Sequence, residues 1–329
     1  MGRYIARRAG YSLVLLFIIS IAVYVIFAAL PTDPAAYTCG KNCTEAIIET
    51  NRIRLGYDLP IWEQYWKFFN GIFFGRDYGT GVASFSCPAP SLGYSFYAQE
   101  CVTDLVARAL PATFYLAAGA VTLWVGTGIL LGIWAARRRG GVADHTINVL
   151  TVFATSMPTF LTGQILLIFL VGRLGWVPSP DYYDPFVNFP KFLTTMILPW
   201  IVLALPGLAL YAKLTRGFVL ETGGEDFVRT ARAKGLNERV VLRKHILRPA
   251  LSPLTTLAAM DFAFMLGGAV ITEKIFTIPG LGRLTITSVT NMDLPVIVGT
   301  TLVAAAIIVF ANLIVDVTYS FIDPRVRVS

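Results

Sequence analysis

ALPATFYLAAGAVTLWVGTGILLGIWAA, Ala109 to Ala136, runs for 28 residues between Arg108 and Arg137 without one Asp, Glu, Lys or Arg. A helix needs about 20 apolar residues to cross a hydrocarbon core of roughly 30 Å, so this stretch is long enough to span a bilayer. Outward from it, Ala9 to Thr32 is charge-free between Arg8 and Asp33, and similar runs lie between Asp144 and Arg173, Lys191 and Lys213, and Asp293 and Asp316. Pro249 to Thr272 differs in carrying Asp261 near its middle. Six spans are predicted, and with them an all-α membrane protein. The composition agrees: 55% of the 329 residues are hydrophobic and only 14% charged, too few for a water-facing surface on every side.

The first run follows Arg3, Arg7 and Arg8, as a secretory signal would. It is longer than a signal core of about 7–15 residues, and Leu30-Pro31-Thr32-Asp33 lacks a small-x-small cleavage pattern, so it is expected to remain as an anchor. With the N-terminus in the cytoplasm, 17 of the 27 basic residues fall on the inner side, nine of them between Lys213 and Arg248. That bias predicts a multi-pass protein of the cell membrane with both termini inside. The net charge of +7 then reads as topology and contact with anionic lipid, not as a nucleic-acid surface.

All four cysteines, Cys39, Cys43, Cys87 and Cys101, lie between the first and second spans. Disulfides persist on the oxidising side of a membrane, so this loop is placed outside. Proximity pairs Cys39 with Cys43 and Cys87 with Cys101. A four-thiolate zinc site is the other reading, although the spacing lacks two CxxC pairs. The chain thus divides into an N-terminal segment with its span (1–32), an exterior loop (33–108), a five-helix core (109–325) and a short inner tail (326–329).

In the exterior loop, Ile61, Trp62, Tyr65, Trp66, Phe68, Phe69, Ile72 and Phe73 recur near helical spacing between Pro60 and Gly75. This predicts an interfacial helix along the outer leaflet or against other helices. Pro158 interrupts the third span, and Pro199 and Pro206 the fourth. Each removes a helical hydrogen bond, leaving either a broken helix beside a water-filled route or a simple kink. Asp261 is costly near the bilayer centre, so it either lines a route for solute or is paired within the bundle. Asp316, near the inner interface, is read as structural.

Between the fourth and fifth spans stands FVRTARAKGLNERVVLRKHILRP, Phe227 to Pro249. Over Glu225 to Leu236, acidic residues at the start and basic ones at the end suit a helix dipole, Gly235 is placed for a left-handed stop, and Asn237 for capping a second helix. A helix-Gly-helix hairpin is predicted, with Ala231, Ala233 and Leu236 as an apolar strip. A solvated basic loop is the alternative.

This segment resembles the EAA loop (here about 221–250) of ABC importer permeases, in the form used by dipeptide and oligopeptide permeases, with the motif glycine at Gly235. It departs in reading Arg229-Thr230-Ala231 at the Glu-Ala-Ala positions and Arg248-Pro249 downstream. Other family-like stretches follow in order: Leu30-Pro31-Thr32-Asp33-Pro34-Ala35, Leu110-Pro111-Ala112-Thr113, Ser156-Met157-Pro158-Thr159-Phe160, Leu205-Pro206-Gly207, Gly267-Gly268-Ala269-Val270, Pro279-Gly280-Leu281-Gly282-Arg283 and Asp323-Pro324-Arg325. The resemblance covers nearly the whole chain, least so in the cysteine-bearing loop. It implies a type I importer permease fold, paired with a second permease, two cytoplasmic ATPases that bind ATP and Mg, and an exterior binding protein. Arg229, Thr230, Ala231, Ala233, Lys234, Gly235 and Leu236 would form the coupling helix, and Ser156, Gln164 and Asp261 would line the route. Peptide is the leading substrate; nickel or another small solute is the alternative within the family.

The chain has no GxxxxGK[ST] loop to hold nucleotide. Its two histidines, His145 and His245, both fall on the inner side, and HExxH and GxSxG are missing, which argues against an intramembrane enzyme. A passive channel would show a ring of charge or a filter repeat and would not need the hairpin. No catalytic residue, metal site or cofactor of its own is expected.

Overall fold

The computed structural model describes residues 2–28, 34–37, 44–78 and 85–322. Cys39 and Cys43, most of the Leu30–Ala35 motif, and Asp323-Pro324-Arg325 lie outside the described residues. In chain order, the first part of the chain contains α1 (Gly2–Ala28), α2 (Glu45–Leu55), α3 (Ile61–Phe74), β1 (Arg76–Tyr78), β2 (Phe85–Cys87), β3 (Tyr94–Ser95) and β4 (Glu100–Cys101). Then come α4 (Val102–Arg137), α5 (Val142–Ser156), α6 (Thr159–Leu166) with a π-helical run to Arg173, and α7 (Phe189–Gly223). The chain continues with α8 (Asp226–Ala233), α9 (Glu238–Val240), a π turn (Val241–Ile246), α10 (Leu247–Leu266), α11 (Val270–Ile275), α12 (Leu281–Thr290) and α13 (Leu294–Ile322). Residues 1–113, 266–273 and 279–329 form one compact unit, and 114–265 with 274–278 another.

In the first unit α1 packs antiparallel along α13, and Arg8 Nη1 near the start of α1 lies 2.7 Å from Asp316 Oδ2 near the end of α13. Asp316 is therefore ion-paired, as its structural reading required. The helix α3 occupies the predicted Pro60–Gly75 window and lies against α1: Tyr65 and Phe68 are buried, Phe17 meets Phe69 edge-on at 5.6 Å, and the hydroxyls of Ser20 and Tyr65 are 2.8 Å apart. The loop beyond it holds two small antiparallel hairpins, β1–β2 and β3–β4, joined by a disulfide between Cys87 and Cys101. The predicted pairing of these two cysteines is thus present; that of Cys39 with Cys43 falls outside the described residues. Phe85 stacks on Tyr94 at 3.9 Å, giving the hairpins their own aromatic core.

The second unit is built on close contact between α4 and α7, made possible by small residues. A Cβ on Gly119 would come within 2.1 Å of the Trp200 ring, and one on Gly132 within 2.5 Å of Thr215 Cβ. Trp200 Nε1 donates to the Tyr115 carbonyl at 3.1 Å across the same seam.

Among the described residues, five helices or continuous helical runs are long and apolar enough to cross a membrane, and a sixth crossing exists if the bent pair α5 and α6 counts as one broken span. The run between Asp144 and Arg173 is accordingly not a single helix: it bends by 96° at Met157–Pro158. Proline disfavours helical geometry at the preceding residue, and Met157 sits at φ −88°, ψ 124°. Pro199 and Pro206 behave differently. Both lie inside α7, which continues for 35 residues with Trp200 and its neighbours packed against α4, so the fourth span is not broken. The fifth span starts earlier and stops earlier than Pro249 to Thr272: helix runs from Glu238 and ends at Leu266. Gly268, at φ +111°, turns the chain there, and a Cβ on it would meet the Gly282 nitrogen at 2.9 Å.

Candidate functional site

The hairpin predicted around Gly235 is present and its local chemistry is the expected one. Asp226 opens α8 and Arg232 closes it, matching the helix dipole. Gly235 adopts φ +76°, and Asn237 Oδ1 accepts from the Arg239 N–H at 3.0 Å to cap α9. Arg232 bridges the two arms through both oxygens of Glu238, at 2.9 and 3.2 Å.

The two faces of the hairpin divide its apolar residues. Val228 and Ala231 turn inward, 0% and 5% exposed, into a cluster with Ala136, Val219, Val241, Ile246 and Ala250. Arg229, Thr230, Ala233, Lys234, Gly235 and Leu236 are exposed. Ala231 is therefore not part of an outward apolar strip, contrary to expectation. The spacing of Val228 and Ala231, three apart, already places them on one side of a helix. The apolar groups that do face outward are Phe227, Leu236 and Val240, with Ala233 beside them. Phe227 and Val240 were not singled out from the sequence; their mark is that they flank the inward pair on an eight-residue helix and its partner.

The residues assigned to a solute route are not joined to one another by hydrogen bonds. Ser156 is exposed at the end of α5 and donates to the Val152 carbonyl at 2.7 Å; Gln164 is exposed on α6. Asp261 accepts from the buried Tyr211 hydroxyl at 2.7 Å, which gives the carboxylate the intramolecular partner that its membrane depth demands.

Two carboxylates that the sequence reading passed over are the most enclosed among the described residues. Asp144, 4% exposed, receives Arg216 Nε at 2.5 Å and Nη2 at 2.7 Å, a forked pair that ties α5 to α7. Glu273, fully buried, accepts from the Thr113 hydroxyl at 2.8 Å and the Arg283 N–H at 2.9 Å. Thr113 in turn accepts the Leu281 N–H at 2.8 Å. The residue preceding α12 is Gly280, which has no side chain with which to cap the helix, and Glu273 supplies the missing acceptor. The hydroxyl of the Leu110–Thr113 motif and the backbone of the Pro279–Arg283 motif meet on this one carboxylate.

Residues 128–328 match the family described as binding-protein-dependent transport system inner membrane component, and residues 1–117 match the N-terminal region described for such membrane components. The chain is 32% identical over 327 residues to a probable peptide ABC transporter permease protein of Sinorhizobium fredii, covering 99% of this chain and 100% of that one. It is 33% identical over 328 residues to a putative peptide transport system permease protein of Brucella abortus, and 34% identical over 327 residues to a glutathione transport system permease protein of Pectobacterium atrosepticum, with 99% of each chain covered in both cases.

Proposed function

Because this chain belongs to the family of binding-protein-dependent transport system inner membrane components, we propose that it moves peptides, handed over by an extracytoplasmic binding protein, across the membrane in an ATP-driven importer. As an ABC transporter permease it is a non-catalytic, multi-pass membrane subunit. In this reading a second permease completes the route, and two ATPases on the inner side bind ATP and Mg and supply the work. The observation that carries the peptide assignment is end-to-end likeness to permeases named for peptide and glutathione transport.

The hairpin of α8 and α9 is the proposed contact with an ATPase. Its outer face offers Phe227, Arg229, Thr230, Ala233, Lys234, Leu236 and Val240, while Val228 and Ala231 root it in the packed interior. A short helix rooted in this way moves with the helices beneath it, so closure of a partner around its outer face becomes displacement of the bundle. The Arg8–Asp316 pair supports placing both ends of the described chain on one side, and the excess of basic residues supports the inner side.

The test is a reconstituted complex in lipid vesicles, assayed for uptake of labelled dipeptides, glutathione and Ni2+ and for ATP hydrolysis with and without loaded binding protein. Peptide uptake with stimulated hydrolysis is expected. Uptake of Ni2+ alone would overturn the substrate assignment, and peptide flux without ATP would overturn the importer in favour of a channel.

A further inference from the structure

The first unit holds a cavity of about 160 Å3, walled by the last turn of α1, by α3, by β1 and by the start of α13. Tyr24, Tyr57, Phe68, Tyr78 and Tyr94 make its walls aromatic, and Arg76 is its cation. Arg76 is half-buried. Its Nη2 donates to the Leu55 carbonyl at 3.2 Å, and its guanidinium lies 4.8 Å from the centre of the Tyr78 ring. Among the described residues no carboxylate comes within ion-pair distance of it. A guanidinium carries five N–H donors, and a cation drawn from water is stabilised chiefly by an anion beside it. The donors in hand leave room for one.

Size limits what that anion belongs to. The space far exceeds the ~10–15 Å3 that a single water requires, yet falls short of the ~300–1,000 Å3 of pockets that enclose a drug-sized molecule. One chemical group enters and the rest of its molecule stays outside. Tyr24 and Phe27 belong to the last turn of the span Ile5–Phe27, only 6% of whose most apolar window is buried, so this wall stands at headgroup depth beside a surface that faces lipid. The neighbouring α3 leaves Trp62 and Trp66 exposed, residue types that favour that same depth.

We propose that this cavity holds the phosphodiester of a phospholipid, gripped by Arg76, with the acyl chains lying along the exposed Leu13, Phe17 and Ile21 face of α1. The planar fork of arginine matches a phosphate geometrically, and the aromatic walls suit the glycerol and first methylenes. A peptide carboxylate is the other oxyanion available to an importer. The lipid is favoured because the cavity sits against the lipid-facing helix and is too small for a peptide. The proposal draws on the orientation given above only to name the leaflet as the outer one, and peptide uptake by the wild type tests the transport reading separately.

The measurement is thermal stability of the purified complex in neutral detergent, titrated with dioleoylphosphatidylglycerol, with dioleoylglycerol, with free glycerol phosphate and with a dipeptide. Phosphatidylglycerol is expected to raise the melting temperature and the other three to leave it unchanged. Arg76→Gln should bind that lipid about ten-fold more weakly, the scale of one lost charge-assisted hydrogen bond. Should Arg76→Gln not assemble, Arg76→Lys, which keeps the charge without the fork, should still require several-fold more lipid. Equal stabilisation of variant and wild type, or stabilisation by dioleoylglycerol, would overturn the site. Stabilisation by the dipeptide that Arg76→Gln abolishes would reassign it to the substrate.

Discussion

Thr113 Oγ1 and Glu273 Oε1, 160 residues apart in sequence, lie 2.8 Å apart, with the Leu281 N–H donating to the same hydroxyl. Two loosely related sequence motifs are thereby one structural joint, and its failure should be measurable. Thr113→Val leaves the Leu281 N–H and one carboxylate oxygen buried without partners, a loss of about 1–3 kcal/mol for each group left unsatisfied. Gly280→Ala should be at least as damaging, since its Cβ would meet the Glu273 carboxyl group at 2.4 Å. Both variants are expected to lower the melting temperature of the purified complex, while Thr113→Ser, which keeps the hydroxyl, stays near the wild type.

The same carboxylate predicts a pH dependence. Burial pushes the Glu273 carboxyl above its ordinary value, more than the donors from Arg283 and Thr113 pull it down. A raised folded value means that the folded chain holds a proton that the unfolded chain has released, so this contribution is complete at acid pH and is lost as pH rises through the folded value. Glu273→Gln does not titrate. The difference in melting temperature between wild type and Glu273→Gln should therefore shrink as pH is raised from about 4.5, the ordinary glutamate value. A difference that grows with pH would contradict the assignment.

Asp144 and Arg216 form the other enclosed pair, and they separate a tie between helices from a surface ion pair. Arg216→Met strips both donors from an aspartate that is 4% exposed, whereas the double variant Asp144→Asn, Arg216→Met removes the stranded charge as well. The single variant should be the less stable of the two. Equal stability of wild type and both variants, in thermal melts of the complex, would show the pair to be incidental.

Much of this architecture is legible in the sequence because lipid imposes long, simple patterns. Charge-free runs locate α1, α4, α7 and α13, and Pro60 and Gly75 bracket α3. What stays hidden is of two kinds. The hairpins β1–β2 and β3–β4 have strands of two or three residues, too short for alternation to register. The roles of Glu273 and Asp144 depend on partners 160 and 72 residues distant, which no local spacing reveals. Prolines show the same limit: Pro158 and Pro206 read alike, yet only the first has a neighbour that leaves helical geometry. The hairpin of α8 and α9 is legible from its glycine, its cap and its charges, but the side that Ala231 faces depends on the helices beneath it.

That facing residue allows the coupling proposal to be tested without confusing it with folding. Ala231 is buried against Val219 and Ile246, so Ala231→Glu places a carboxylate in an apolar cluster and should unseat the hairpin itself. Loss of transport in that variant would say nothing about a partner. Gly235 is a cleaner site: nothing lies within 4 Å of where its Cβ would be, so Gly235→Ala pays only for the left-handed backbone, about 1–2 kcal/mol. Gly235→Asn should be milder still, because asparagine tolerates that conformation. The decisive substitutions are Phe227→Ser and Leu236→Asp, on side chains that are 47% and 41% exposed and lie outside the buried set of Val228 and Ala231. These are expected to leave the melting temperature of the isolated permease pair unchanged while ATP hydrolysis stimulated by loaded binding protein and peptide uptake fall together. If both variants assemble with the ATPases and keep full stimulated hydrolysis, the outer face of the hairpin is not the contact, and coupling must be sought elsewhere on the inner surface.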